Sequence, residues 1–173
     1  TGLTTFQAYW LKQFPVAVMA RNHRASFQVW SAADGYPGDG LYREFHKKDS
    51  QSGLHYWRLT DKDCDLSQKM LYDPVLALQQ AKQHAKHFVG LLLDILEKHY
   101  AETKNHGLVL TAFDTELYGH WWFEGIEWLE QVILALQPFK GRIAMQTAAQ
   151  YLHQHPPQTA INLPESTWGE GGH

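Results

Sequence analysis

LVLTAFDTELYGHWWFEGIEW, Leu108 to Trp128, is the stretch around which the rest of the chain makes sense. It begins with Leu108-Val109-Leu110, a short apolar run suited to a buried strand. It then turns abruptly to Asp114, Glu116, His120, Trp121, Trp122, Glu124 and Glu127. A strand that ends in a loop of carboxylates, a histidine and adjacent indoles is how β/α folds present an active site. Carboxylates can protonate or attack a glycosidic bond. Flat aromatic rings bury the C–H face of a sugar while its hydroxyls stay hydrogen-bonded. The stretch therefore points to a carbohydrate site. An isolated Asp after a strand is more often a helix cap or a solvated turn residue, and Trp pairs more often pack a core. It is the crowding of these groups between Phe113 and Gly125 that puts a site on equal footing with plain packing.

Composition narrows the class. At 173 residues the chain has the length of one ordinary domain with room for a sizeable core. With 44% hydrophobic and 19% charged residues it is globular rather than disordered. A net charge of -3 and the absence of any basic run argue against nucleic acid as the partner. Seven Trp and eight Tyr favour, weakly, a surface that binds rings or sugars. Cys64 is the single cysteine, so no disulfide framework exists and a reducing cytoplasm fits best. No stretch approaches the roughly 20 apolar residues of a membrane span. Val16 to Ala20 is too short for a signal peptide and lacks its flanks. His84 and His87 lie one helical turn apart, but no Cys or carboxylate beside them completes a familiar ligand set. They read as structural or surface histidines.

Along the chain, Thr1 to Gln13 reads as a short helix with Phe6, Trp10 and Leu11 on one side. Val16 to Ala20 reads as a strand. Phe27-Gln28-Val29-Trp30 reads as an extended segment that delivers Trp30 to a strand end. Residues 32–45 are dense in turn formers. Asp39, Arg43 and Glu44 there suit either a loop locked by an internal ion pair or a substrate-contacting loop, and their spacing favours the first. Gly53 to Thr60 reads as another extended segment.

Asp73-Pro74 is a strong helix start, Asp as N-cap and Pro in the first turn. Leu78, Ala81, Ala85, Phe88, Val89, Leu92, Ile95 and Leu96 keep a helical period to an end near Tyr100. Trp128, Leu129, Val132, Ile133 and Leu136 mark a second amphipathic helix closed by Pro138. Arg142 to Met145 reads as a short strand. Thr147 with Gln150 is a capping-box pattern for a helix from Ala148 to His153, stopped by Pro156-Pro157. The second half thus alternates helix and strand, with connections suited to parallel β/α units. No repeat or linker divides residues 1–173. The tail from Leu163 to Gly172 places Trp168 among glycines, and composition alone makes it a flexible terminus.

These residues also carry a family resemblance. FDTELYGHWWFEG at Phe113 to Gly125 is similar to the fourth signature region of the family-57 glycoside hydrolases, in particular their α-1,4-glucan branching enzymes. PESTWGEGG at Pro164 to Gly172 resembles the fifth region. QVWS at Gln28 to Ser31, GYPGDGLYREF at Gly35 to Phe45 and GLHYWRLT at Gly53 to Thr60 resemble family stretches in the same order. The resemblance implies a seven-stranded β/α barrel, with this chain as its C-terminal half: parallel strands with flanking helices, and the site at the strands' C-terminal ends.

It further implies a retaining reaction with Asp114 as general acid/base. Trp30 and Trp168 would line the glucan cleft, and His120 and Trp121 would contact sugar. Trp122, in the same motif, is expected to pack behind the loop. The family nucleophile is a Glu in a Glu-Cys-Ala type region that none of these residues matches. Cys64, in Asp63-Cys64-Asp65, does not supply it, and Glu116 and Glu124 are poor substitutes. The expectation is therefore a part of a larger enzyme, inactive by itself, that self-associates or needs its N-terminal half. Its substrate would be glycogen, amylose or a starch-like α-glucan. Amylase or 4-α-glucanotransferase activity, or a noncatalytic glycan-binding domain, are the alternatives. No cofactor is implied, since two carboxylates transfer glycosyl groups without metal or nucleotide.

Overall fold

The computed structural model describes residues 2–31 and 34–165. Among these the chain forms strands β1 (Ala8–Leu11) and β2 (Ala17–Met19) and helices α1 (His23–Trp30), α2 (Pro74–Thr103), α3 (Gly125–Leu136) and α4 (Ala148–Gln154). Strand β3 (Ala160–Ile161) follows. The long helix α2 is the platform. Asp73 starts it by accepting from the Val75 and Leu76 N–H groups at 2.9 and 3.2 Å, satisfying donors that a helix start leaves unpaired. It runs past Tyr100 to Thr103, where Lys104 in the left-handed region returns its N–H to the Tyr100 carbonyl.

The apolar stripe of α2 packs on α3, joining Phe88, Val89, Leu92 and Ile95 to Trp128, Val132 and Leu136 in one core. Ala77, Ala81 and Ala85 recur every four residues with no exposed surface. Small side chains there leave room for the rings of Tyr36 and Tyr42, which belong to the same core. Two hydrogen bonds hold those rings to the helix: Tyr36 to His87 and Tyr42 to His84, both hydroxyl to Nδ1 at 2.7 Å. The paired histidines therefore anchor the loop that follows α1.

That loop is pressed close to its neighbours. A Cβ on Gly35 would lie 2.4 Å from the Ser31 carbonyl oxygen, so only glycine lets the chain turn there against the end of α1. The loop is locked by an ion pair, although not an internal one. Glu44 meets Lys69 at 2.7 Å with both side chains almost wholly buried, while Asp39 accepts from Gln80 of α2 at 2.8 Å. Of the extended segment expected over residues 53–60, Trp57 and Arg58 make isolated antiparallel bridges to Leu71 and Arg43, while Gly53 and Thr60 at its ends have positive φ.

The described strands form a mixed sheet of order β2-β1-β3. β1 pairs with β2 antiparallel (Tyr9 opposite Val18) and with β3 parallel (Trp10 opposite Ala160). A strand at Val16 to Ala20 is thus present, but the expected helix over residues 1–13 is replaced by β1. The Phe14-Pro15 turn brings Leu11 N–H to the Val16 carbonyl at 3.0 Å, and that ladder outweighs a weak helical spacing.

The opposite error occurs at Phe27 to Trp30, which belong to α1. Asn22 caps that helix, its Oδ1 accepting from Ala25 N–H at 3.1 Å, and Ala25 and Val29 bury together at helical spacing. Leu108 to Leu110 and Arg142 to Met145, expected as parallel strands, are strand-like only in part. Leu108 donates to the Phe6 carbonyl at 2.8 Å, and Leu110 accepts from Asn22 N–H at 3.1 Å beside a parallel bridge to Arg21. This segment is half-buried rather than enclosed. Arg142 to Met145 makes no ladder among the described residues. The architecture is mixed α/β, and the expected run of parallel β/α units is not formed by this stretch.

Candidate active site

The loop after Leu110 builds itself from short-range hydrogen bonds. The Asp114 carbonyl accepts from Leu117 N–H at 3.1 Å, opening a single 3-10 turn over Thr115–Leu117. Trp121 N–H then reaches the Glu116 carbonyl at 3.0 Å and Trp122 N–H the Leu117 carbonyl at 2.9 Å. Gly119, at φ 84°, makes the reversal between them in a region that disfavours other residues. This winding sends neighbouring indoles opposite ways. Trp122 is 1% exposed, its ring centre 5.3 Å from both Tyr42 and Trp128, whereas Trp121 is 40% exposed. Trp122 therefore packs behind the loop and Trp121 faces outward.

Asp114 is exposed, and its carboxylate has no hydrogen bond or ion pair with any described residue. A carboxylate so placed is open to contact from solvent. Trp30 closes α1 and comes to Trp121 at 5.9 Å between ring centres, the planes inclined by 51°. The two rings wall a cavity of about 390 Å³ whose lining also includes Pro37, Arg43, Phe45 and Leu117. Leu117 ends the turn that Asp114 begins, so cavity and carboxylate share one loop. His120 is exposed beside Trp121, with its ring edge-on to Phe45 at 5.2 Å. Trp168 lies outside the described residues.

Glu116 is exposed on the same turn. Glu124 is 1% exposed and accepts from Arg43 N–H at 3.1 Å. Burial pushes its carboxyl up, a net rise that the Tyr72 hydroxyl and the Glu124 and Arg43 N–H groups only partly oppose. A carboxylate enclosed in this way is not placed to attack a sugar. Among the described residues no cluster of His, Cys, Asp or Glu is arranged to hold a metal ion. None of the described helices is long and apolar enough to cross a membrane.

The sequence reading took Arg43 as part of a structural loop and did not single out Phe45. Their loop was read chiefly as structural, yet it both buries Glu44 and lines the Trp30–Trp121 cavity. Burial alternates from Tyr42 to Phe45 only in the folded structure, and Tyr-Arg-Glu-Phe carries no alternating pattern from which it could be read.

Sequence and structural comparison both relate this mixed α/β chain to GH57-type branching enzymes. The chain is 44% identical over 98% of its length to a 1,4-alpha-glucan branching enzyme of Thermococcus kodakarensis. It is 36% identical over 90% to a probable 1,4-alpha-glucan branching enzyme of Mycobacterium tuberculosis. It spans only 25% and 29% of those two proteins. Among solved structures, the Pyrococcus horikoshii GH57-type branching enzyme matches 98% of this chain and 31% of its own, with 45% identity and a TM-score of 0.88. The alpha-amylase AmyC of Thermotoga maritima matches 95% of this chain and 35% of its own, at 29% identity and a TM-score of 0.83. No family model matches the sequence.

Proposed function

We propose that the chain is the acid/base-bearing, C-terminal part of the catalytic domain of a retaining 1,4-α-glucan branching enzyme. The observation that carries this is the 113–125 loop, which leaves the Asp114 carboxylate exposed and unpaired and also supplies Trp121, whose ring lies 5.9 Å from that of Trp30. Asp114 protonates the bridging oxygen as the α-1,4 bond breaks, and its carboxylate then takes the proton of the incoming 6-hydroxyl. Trp30, Trp121 and His120 hold the glucan.

Retention needs a second carboxylate roughly 5 Å away to form the covalent glycosyl intermediate. Glu124 is enclosed and Glu116 belongs to the acid/base turn, so the nucleophile comes from the N-terminal part of the barrel and these residues alone are inactive. Leu108–Leu110, bridged on one side only, supports this reading, because parallel strands need neighbours on both sides. The substrate is glycogen, amylose or a related α-glucan in the cytoplasm, with neither nucleic acid nor membrane as partner.

Replacing Asp114 by Asn in the complete protein tests the assignment. Formation of α-1,6 bonds is lost while amylose is still bound; retained branching refutes it. The likeness to AmyC favours a second reading, hydrolysis, which the same assay separates by new reducing ends appearing without new branches. Binding without turnover in the unmodified complete protein would leave only a glycan-binding domain.

A further inference from the structure

The turn that walls the Trp30–Trp121 cavity has a second, polar side. Gly38 lines both that cavity and another of about 390 Å³, which Asp34, Asp39, His84 and His87 also line. His84 is the most heavily engaged of these. Its ring stacks on Tyr36 at 4.4 Å between centres, and its Nδ1 meets the Tyr42 hydroxyl at 2.7 Å. Its Nε2 lies 3.1 Å from the Gln80 amide nitrogen and 3.6 Å from Asp39 Oδ2. The same Gln80 nitrogen donates to Asp39 Oδ2 at 2.8 Å.

That last bond fixes where the protons lie. A Gln80 amide turned the other way would set its oxygen against a carboxylate, so the nitrogen faces Asp39 and offers its second hydrogen to His84. Nε2 therefore accepts, and the neutral ring carries its proton on Nδ1, which donates to the Tyr42 oxygen. A proton added at Nε2 meets an N–H donor. It is held only if the Gln80 bridge breaks and Nε2 turns to Asp39.

The titratable groups around the ring are Asp39, Tyr36 and Tyr42 on the loop, Asp34 on the pocket wall and His87 one turn along α2. Burial pushes the imidazole below the ordinary 6.5, with Asp39 opposing the fall and His87 adding to it. The contribution of the neutral bridge is thus complete above 6.5 and is lost as pH falls through the lower folded value. Asp39 in turn shapes the wall. Its Oδ1 accepts from Leu41 N–H at 2.9 Å, its N–H donates to the Tyr36 carbonyl at 3.0 Å, and its carbonyl accepts from Tyr42 N–H at 3.1 Å. Pro37 and Gly38 before it and Arg43 after it line the cavity.

We propose that Asp39, Gln80 and His84 form a proton-sensitive latch on the cleft: with His84 neutral the Gln80 bridge holds the 36–43 wall against α2, and with His84 protonated the bridge parts and the wall loosens. The three act as positioning residues, since none of them lines the Trp30–Trp121 cavity. The consequence for glucan rests on the branching-enzyme reading; the latch itself does not.

Hydrogen exchange in the complete protein tests the latch, read by mass spectrometry in peptides covering residues 35–45 and corrected for the intrinsic effect of pH. From about pH 7.5 to about pH 5 the loop of the unmodified protein comes to exchange at least about fivefold faster, the low end of a coupling between sites. His84→Gln cannot take the proton and shows no such rise. Gln80→Ala, on the half-buried side of α2, exchanges faster already at about pH 7.5 and responds less to acid, and it decides the matter if His84→Gln does not fold. A loop indifferent to pH in the unmodified protein, or a rise as steep in either variant, overturns the latch. Amylose affinity over the same range falls about fivefold in the unmodified protein and by less in His84→Gln. An equal fall in both separates the latch from the cleft and overturns the proposal. Loop exchange that follows His84 in a protein that binds no amylose leaves the latch standing and removes the glucan reading. Amylose binding beside a loop indifferent to pH does the reverse.

Discussion

Two enclosed carboxylates in one small region behave in opposite senses, and each has its own consequence. Burial raises the Glu44 carboxyl, but the Lys69 side chain, the His46 and Lys47 N–H groups and the Lys69 charge together outweigh it, so the net shift is downward. Its stabilising effect is present above the ordinary value of 4.5 and is lost as pH falls through the lower folded value. Glu124 is shifted upward, so its favourable contribution is present below 4.5 and lost as pH rises through the folded value. Glu124→Gln keeps an oxygen for the Arg43 N–H and cannot ionise. The variant therefore gains thermal stability relative to the unmodified protein as pH rises from about 4 to about 8; parallel curves across that range contradict this. Lys69→Met leaves Glu44 charged and unpaired in the interior and costs about 3–5 kcal/mol in denaturant titrations. Replacing both partners by apolar residues recovers most of that loss. Neither residue was legible as a pair, because Glu44 and Lys69 stand far apart in sequence and only the folded loop brings them to 2.7 Å.

Among the elements, those with chemically marked ends were readable and those defined by distant pairing were not. Asp73-Pro74 fixes the start of α2, and Thr147 with Gln150 fixes α4, whose capping box is formed in both directions. In α1 the signal was Asn22, overlooked because Phe27 and Val29 alternate as a strand would. Strand identity is different in kind. Leu108-Val109-Leu110 is apolar enough for a strand, but a strand exists only where a ladder does, and its partners are single contacts at Phe6 and Asn22. The loop of the candidate site was legible because its chemistry is local: Asp114, Gly119 and the two indoles lie within one winding. The cleft wall at Arg43 and Phe45 was not, since it depends on how a loop some 70 residues earlier folds over it. The cap itself is testable. Asp73→Ala removes the acceptor of two N–H groups and destabilises α2 by about 1 kcal/mol, measured as a lowered unfolding midpoint, with Asp73→Asn nearly neutral; an unchanged midpoint in the alanine variant contradicts the cap's role.

For the whole molecule, the decisive feature is how much apolar surface the described residues leave uncovered. Phe14, Leu71, Val75 and Ile126 are 60%, 73%, 61% and 59% exposed, respectively. A groove of about 610 Å³ runs between α2, α3 and the extended stretches before and after α3, lined by Phe88, Leu92, Val109, Phe113, Val132 and Ile143. The sheet adds open backbone donors and acceptors along the outer edges of β2 and β3. Unpaired edges and contiguous apolar surface both drive association. The groove is bordered by Leu108–Leu110, with its single parallel bridge, and by Arg142–Met145, which makes no ladder among the described residues; the further strands of the proposed barrel would cover the groove. The 173-residue chain in isolation therefore associates as its concentration rises and binds a hydrophobic dye such as ANS. On the proposed reading, co-expression with the N-terminal part of the barrel suppresses both. Light scattering coupled to size exclusion reads the first effect and dye fluorescence the second. A lone chain that stays monomeric and dye-silent across the concentration series would mean that this surface is stable as it stands and that the groove is no seat for the rest of a barrel.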